Sequence, residues 1–452
     1  MLNLTPKELA ARQVLTINPL ACCQPLGAIY ASLGIHNCMP HSHGSSGCSR
    51  YQKTLLQRHF RKSIKVTTSV LKESAAIFGG DSFLETAIKN IFELYNPEII
   101  AVHTTCLSET IGDDLKACLN DFPLPKGKYL IHANTPSYTG SHITGFSNMV
   151  SSAIQYLAQK EVAPNNKICI IPGFINPGDM KEIKRISSLM GVNYIMFPDT
   201  CGVFGLRGVE KINEYPAGGT KVTDIIDLGN CKQTFALGKY SSEAAGIQLE
   251  SKCGVPFKLM DLPIGIEATD RYIMELKELS HQAVADDLEE EREQVLDVIL
   301  DSYPYFYNKK VALFGDPDLV IALAEFISSI GMIPQYAVTG TPGQYFNDRM
   351  QVIFAKYNIK GMAKSSADLF ELQQWLKNDP VDLLIGESHG KLLARVEDIP
   401  LVRIGFPIMD RYIHSYLPIV GYRGAMRILD MILNALMDRL DRDHSENDLV
   451  FI

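Results

Sequence analysis

Three cysteines sit far apart in this chain, each beside turn-forming or small residues: Cys23-Gln24-Pro25-Leu26-Gly27, Gly44-Ser45-Ser46-Gly47-Cys48 and Thr104-Thr105-Cys106-Leu107-Ser108-Glu109. A thiolate on such a turn reaches out of a fold while glycine and proline let the backbone close around a bulky inorganic group, which is how iron-sulfur clusters are commonly held. Three thiolates are one short of a four-cysteine set, so a cluster here needs ligands from another chain or from a residue other than cysteine. The separations of 25 and 58 residues match no compact ligand ladder such as C-x-x-C. Buried, reduced thiols are the competing reading. Spacing and context alone lean toward it, because free cysteine is among the most buried residue types.

Other chemistry is harder to find. His36, His41 and His43 lie just before Cys48, but no further Cys/His pair completes a tetrahedral zinc set at familiar spacing, so turn or core roles fit them better. Gly315-Asp316-Pro317-Asp318 follows an apolar run as a phosphate-binding turn would, yet it lacks both G-x-G-x-x-G and the Walker Lys-Ser/Thr. A helix start capped by aspartate explains it. No G-x-S-x-G elbow is present.

The elements that must position Cys106 are readable. Residues 81–96 read as a helix with a capping box, Ser82-Phe83-Leu84-Glu85, and with Leu84, Ala87, Ile88, Ile91 and Phe92 apolar on one side. Pro97 ends it, and Glu98-Ile99-Ile100-Ala101-Val102-His103 has the continuous apolar character of a strand buried on both faces of a parallel sheet. Cys106 therefore falls just past the carboxyl end of a strand, the edge where open α/β sheets bind ligands. The same order returns at Leu369 to Asn378, Pro380 and Val381 to Gly386, and strand candidates open the segments Lys167 to Gly173 and Lys309 to Pro317. Alternating strands and helices imply parallel sheets with right-handed crossovers. Breaks near residues 163 and 305 divide the chain into 1–163, 164–305 and 306–452. The acidic run Ala285 to Glu293 reads as the start of an amphipathic helix.

At 452 residues the chain is long enough for two to three cores. Hydrophobic content of 46% and charged content of 21%, with mean hydropathy near zero, describe an ordinary globular protein. A net charge of −8 gives no broad basic surface, so nucleic acid is not expected as a partner. No apolar run approaches the ~18 residues of a membrane helix, and the N-terminus lacks a signal pattern, so neither a membrane nor export is expected. The chain is placed in the cytoplasm, where ten cysteines argue for reduced thiols or metal ligation over disulfides.

In this order, over this length, the motifs resemble the β-subunit of nitrogenase component 1. They run from Ile17-Asn18-Pro19 and Cys23-Gln24-Pro25 through His43-Gly44-Ser45, Phe78-Gly79-Gly80, Thr104 to Asp114 and Thr135-Pro136-Ser137-Tyr138 to Gly405-Phe406-Pro407-Ile408-Met409-Asp410-Arg411. The short N-terminus looks like the clostridial type. The resemblance implies an α/β fold of three Rossmann-like lobes, with mainly parallel sheets flanked by helices, in an α2β2 tetramer with a homologous α-subunit. It implies that Cys23, Cys48 and Cys106 give the β-side thiolates of an [8Fe-7S] P-cluster shared with that subunit. Ser137 matches a serine whose oxygen ligates iron when the cluster is oxidised.

By the same resemblance Tyr51 is an electron-relay residue between the P-cluster and the cofactor, and Phe78 lies where the ATP-hydrolysing iron protein docks with MgATP. The molybdenum-iron cofactor and dinitrogen reduction belong to the α-subunit, so no catalytic acid or base is expected on this chain. Two departures stand out. Ser46 replaces the usual glutamine beside Cys48, and Arg61-Lys62-Ser63 replaces Arg-Glu-Pro, so the inter-β mineral cation is not expected. The cofactor-assembly scaffold paralogue, which usually supplies one cysteine from this position, fits less well than a catalytic complex because all three cysteines and Ser137 are present. Another nitrogenase-like reductase, with a different metal or substrate, is the remaining alternative, and its metal would be set by the α-chain.

Overall fold

The computed structural model describes residues 5–9, 15–120, 122–161, 164–204 and 215–445. The chain boundary expected near residue 163 lies outside the described residues. Two compact units are present: Cys22–Asp261, and Met1–Ala21 together with Leu262–Ile452. Every strand pair in both is parallel. Strands of this kind need helical crossovers, which cover both sheet faces and make the chain an α/β protein, as its alternating pattern predicts.

The unit that carries the candidate ligands holds two four-stranded sheets. In the first, β1 (Cys38–His43), β2 (Thr67–Thr68), β3 (Ile99–Thr104) and β4 (Tyr129–Ala133) lie in the order β2-β1-β3-β4. The second orders β5 (Ile168–Ile171), β6 (Tyr194–Met196), β7 (Gln233–Leu237) and β8 (Phe257–Met260) as β6-β5-β7-β8. The other unit has a five-stranded sheet, β11-β10-β9-β12-β13, from β9 (Lys310–Phe314), β10 (Ile333–Val338), β11 (Met362–Lys364), β12 (Leu383–Gly386) and β13 (Leu401–Arg403). The helix Leu369–Asn378 packs Leu372, Trp375 and Leu376 into that sheet's core, and Asp368 caps it by accepting from the Glu371 amide. Asp316 takes the N-cap position of the helix Pro317–Ser329, as expected of a helix start, but its side chain makes no cap bond to that helix. Among the described residues no helix is long and apolar enough to cross a membrane.

Seven helices of the first unit position the site: α1 (Gln24–Leu33), α2 (Ser46–Phe60), α3 (Glu73–Phe78), α4 (Asp81–Tyr95), α5 (Cys106–Ile111), α6 (Leu115–Asn120) and α7 (His142–Leu157). Leu84, Ile88 and Ile91 of α4 bury against Ile100 and Val102 of β3, the face read from the sequence. Asn96 then takes the left-handed conformation at φ 44° and Pro97 prevents continuation. The capping box at Ser82 is not formed. Gly80 is the N-cap, with no side-chain cap bond, and its own amide donates instead to Asp113 Oδ1 at 2.8 Å.

Strand β1 is unexpected, because Cys-Met-Pro-His-Ser-His has a proline and three polar residues in a strand paired on both sides. All six residues are buried, and side chains from neighbouring segments satisfy the polar ones. His41 bonds Thr67 Oγ1 at 2.9 Å and Ser69 Oγ at 2.8 Å, while Ser42 Oγ meets His103 Nε2 at 2.6 Å. Burial pushes both His41 and His103 down to about 3 from the ordinary 6.5, so each folds as neutral imidazole. An unfolded histidine takes up a proton below about 6.5, whereas the folded one does so only near 3. Stability is therefore complete above about pH 6.5 and is lost as pH falls toward 3, by about 1.4 kcal/mol per pH unit for each histidine. Urea unfolding at pH 7 and pH 5 should show the drop; equal unfolding free energies would rule out neutral burial.

Candidate metal centre

The carboxyl ends of three adjacent strands bring the candidate residues together. Strand β1 ends at His43 and runs through Gly44 and Ser45 into α2, where Cys48 is the third residue. Its neighbour β3 ends at Thr104, and Thr105 caps α5, whose first residue is Cys106. His43 pairs with Thr104 in register, so the two turns start side by side. The His43 carbonyl accepts from Ser108 Oγ at 2.8 Å and Thr105 Oγ1 at 3.2 Å. Gly44 lies so close that a Cβ there would sit 1.9 Å from Thr105 Oγ1. Beyond β4, the Thr135 amide donates to Thr104 Oγ1 at 2.6 Å and its hydroxyl donates to the Thr104 carbonyl at 2.7 Å, which fixes the turn carrying Ser137.

Cys23 arrives from another direction. It is the N-cap of α1, with Pro25 in the first turn. Helix α1 crosses α7 at backbone contact through two glycines. A Cβ on Gly27 would lie 1.7 Å from the His142 carbonyl oxygen, and one on Gly145 would lie 1.9 Å from that of Gln24. The crossing is locked at its N-terminal end, where the His142 amide donates to the Cys22 carbonyl at 2.8 Å and Gln24 Nε2 donates to the Thr139 carbonyl at 2.9 Å. Gln24 Oε1 in turn accepts from Asn148 Nδ2 at 3.1 Å. Cys23 is thereby tied to the same post-β4 segment that carries Ser137.

Side chains complete the approach. Gln52 follows Cys48 by four residues on α2, hence on the same face, and its Nε2 donates to Cys23 Sγ at 3.7 Å. Burial pushes the Cys23 thiol up; the Gln52 bond opposes the rise and the charge of nearby Cys48 adds to it. Cys23, Cys48 and Cys106 are half-buried, as is Ser137, while Cys38, Cys169, Cys231 and Cys253 are fully buried. Burial raises the Cys231 thiol to about 12, as expected of an inert core cysteine. Each candidate thiol sits in the first turn or at the cap of a helix. Among the described residues no three His, Cys, Asp or Glu side chains converge closely enough to hold a single ion.

The remaining candidates lie around this group. Tyr51, 62% exposed, lies three residues after Cys48 on α2. Tyr138, next to Ser137, is 65% exposed. Phe78 ends α3 at 86% exposure and is not among the thiols. Asp113 connects it to them. This carboxylate accepts from the Gly80 amide through Oδ1 and, 2.9 Å away, bonds His43 Nε2 through Oδ2, linking the Phe78-Gly79-Gly80 turn to the end of β1. His43 and His41 are consumed by these core bonds and His36 bonds the Gly218 carbonyl, in line with core and turn roles. Sequence reading passed over Gln52 and Asp113, although Gln52 was open to detection from its four-residue spacing to Cys48.

A family model for nitrogenase component 1 type oxidoreductases matches residues 23–437. Over 453 aligned residues the chain is 51% identical to the nitrogenase molybdenum-iron protein beta chain of Clostridium pasteurianum, covering 99% of each. It is 37% identical to the corresponding beta chain of Methanococcus maripaludis, covering 97% of each. A solved structure of nitrogenase Cp1 at pH 6.5 superposes with a TM-score of 0.99 at 50% identity over all of both chains. A chain from nitrogenase Cp1 at pH 5 shares the fold at 17% identity, with a TM-score of 0.69 over 98% of this chain and 94% of its own length.

Proposed function

This chain belongs to the nitrogenase component 1 family of oxidoreductases, and from that membership we propose that it is the β-subunit holding half of an [8Fe-7S] cluster at its boundary with an α-subunit. What supports the reading is that the turns leading to Cys48 and Cys106 touch at one sheet edge, that Thr135 ties the turn of Ser137 to the same edge, and that Gln52, on the helix of Cys48, bonds the sulfur of Cys23. When bound, such a cluster supplies one-electron storage between an ATP-hydrolysing iron protein and the molybdenum-iron cofactor of the α-subunit, where dinitrogen is reduced to ammonia. The protein's part is ligation, orientation and exclusion of water.

Cys23, Cys48 and Cys106 would supply the thiolates that hold the cluster. The Ser137 hydroxyl, once deprotonated, is a harder ligand than sulfur and suits a more oxidised iron. The α-subunit covers the exposed Tyr51 and Tyr138, leaving a dry, low-dielectric shell that sets the potential. Phe78 offers an exposed ring for docking of the iron protein with MgATP. The complex works in the cytoplasm as an α2β2 tetramer. Anaerobic purification with the α-partner should return about eight irons per αβ pair at this boundary, measured by iron analysis and Mössbauer spectroscopy. An intact αβ complex without them would refute the proposal.

A further inference from the structure

We propose that Gln52 is a positioning residue that acts through Cys23: its side-chain amide donates to the Cys23 sulfur and raises the reduction potential of the cluster that this sulfur holds. The inference rests on the reading of Cys23 and Cys48 as cluster ligands. Gln52 is 1% exposed, and the bond it makes with its amide nitrogen runs to Cys23 Sγ at 3.7 Å. Its Oε1 is buried with no hydrogen-bond partner among the described residues. A buried amide with half its hydrogen-bonding capacity unused is costly, and an apolar side chain of similar size would avoid that cost. What the amide provides that leucine cannot is an N–H aimed at sulfur.

Its orientation follows from the chemistry of that sulfur. A metal-bound cysteine carries no S–H to donate, so turning the carbonyl toward it would set oxygen against a negative sulfur. Only the N–H orientation attracts. The N–H dipole favours whichever state places more charge on sulfur, which is the reduced one, so the midpoint rises. Because Gln52 stands one turn after Cys48, it also holds the two ligand loops in register.

The test is a potentiometric titration of the purified αβ complex, followed by the cluster's EPR signal, in wild type, Gln52→Leu and Gln52→Glu. Gln52→Leu should shift the midpoint to more negative potential at unchanged iron content, and in Gln52→Glu the negative shift should grow as pH rises and the carboxyl ionises. In wild type carrying 15N in the glutamine side chains, pulsed EPR should detect a nitrogen coupled to the cluster, so the assignment stays testable even if a variant fails to assemble. Identical midpoints with full iron, or no such coupling, would overturn the role of Gln52 alone. A wild-type complex without any cluster signal would overturn the ligand assignment and this inference with it.

Discussion

Replacing Cys106 with alanine is expected to remove the boundary cluster and electron transfer together while leaving the fold intact. Cys106 is the first residue of α5, a position alanine accepts, and the helix start is fixed by neighbours: Thr105 and Ser108 form a reciprocal capping box and both hydroxyls reach the His43 carbonyl. The thiol is half-buried, so deleting it should cost less than about 1 kcal/mol of stability. Loss of function would then trace to ligation. The variant should co-purify with its α-partner, show wild-type circular dichroism, lack the cluster's iron and pass electrons only at background rate. Unchanged iron content and activity would defeat the assignment of Cys106.

Gly27→Ala should produce the largest loss of stability among single methyl additions near the site. The added carbon would lie 1.7 Å from the His142 oxygen and 2.6 Å from the Phe146 nitrogen, both backbone atoms, so no rotamer change relieves the clash. Helices α1 and α7 must separate, and the Cys23 cap moves with α1. A cost of about 3 kcal/mol or more is expected in urea unfolding, along with loss of iron from the assembled complex. Gly112→Ala is the contrast: φ is +82° but nothing lies within 4 Å of the added carbon, so only the left-handed strain of about 1 kcal/mol applies. Equal stability of the two variants would refute a backbone-contact crossing.

How far the fold was legible follows from where its information lies. Helix α4, Pro97 and strand β3 are local and carry one consistent apolar pattern, so both elements and the position of Cys106 past the strand end were readable. Strand β1 was not. Pro40 and the polar residues His41, Ser42 and His43 argue against a central strand, and what satisfies them is a set of partners remote in sequence, Thr67, Ser69, His103 and Asp113, that no local pattern reveals. The capping box expected at Ser82 failed for a related reason: Asp113, at the far end of α5, takes the Gly80 amide, a contact remote in sequence.

The candidate residues were nameable because each sits in a short, distinctive turn. Their meeting was not, since Cys23 is brought in by a glycine crossing between helices separated by a whole sheet in sequence. Gln52 was hidden differently: its helical spacing to Cys48 is visible, but its bond crosses to Cys23.

Diffraction from anaerobic crystals of the αβ complex, with data collected on both sides of the iron absorption edge, bears most directly on the whole account. Anomalous iron peaks bonded to the sulfur atoms of Cys23, Cys48 and Cys106, within one continuous cage that also meets the α-subunit, are the predicted result. Iron bound elsewhere, with those three sulfurs bonded to none, would contradict it.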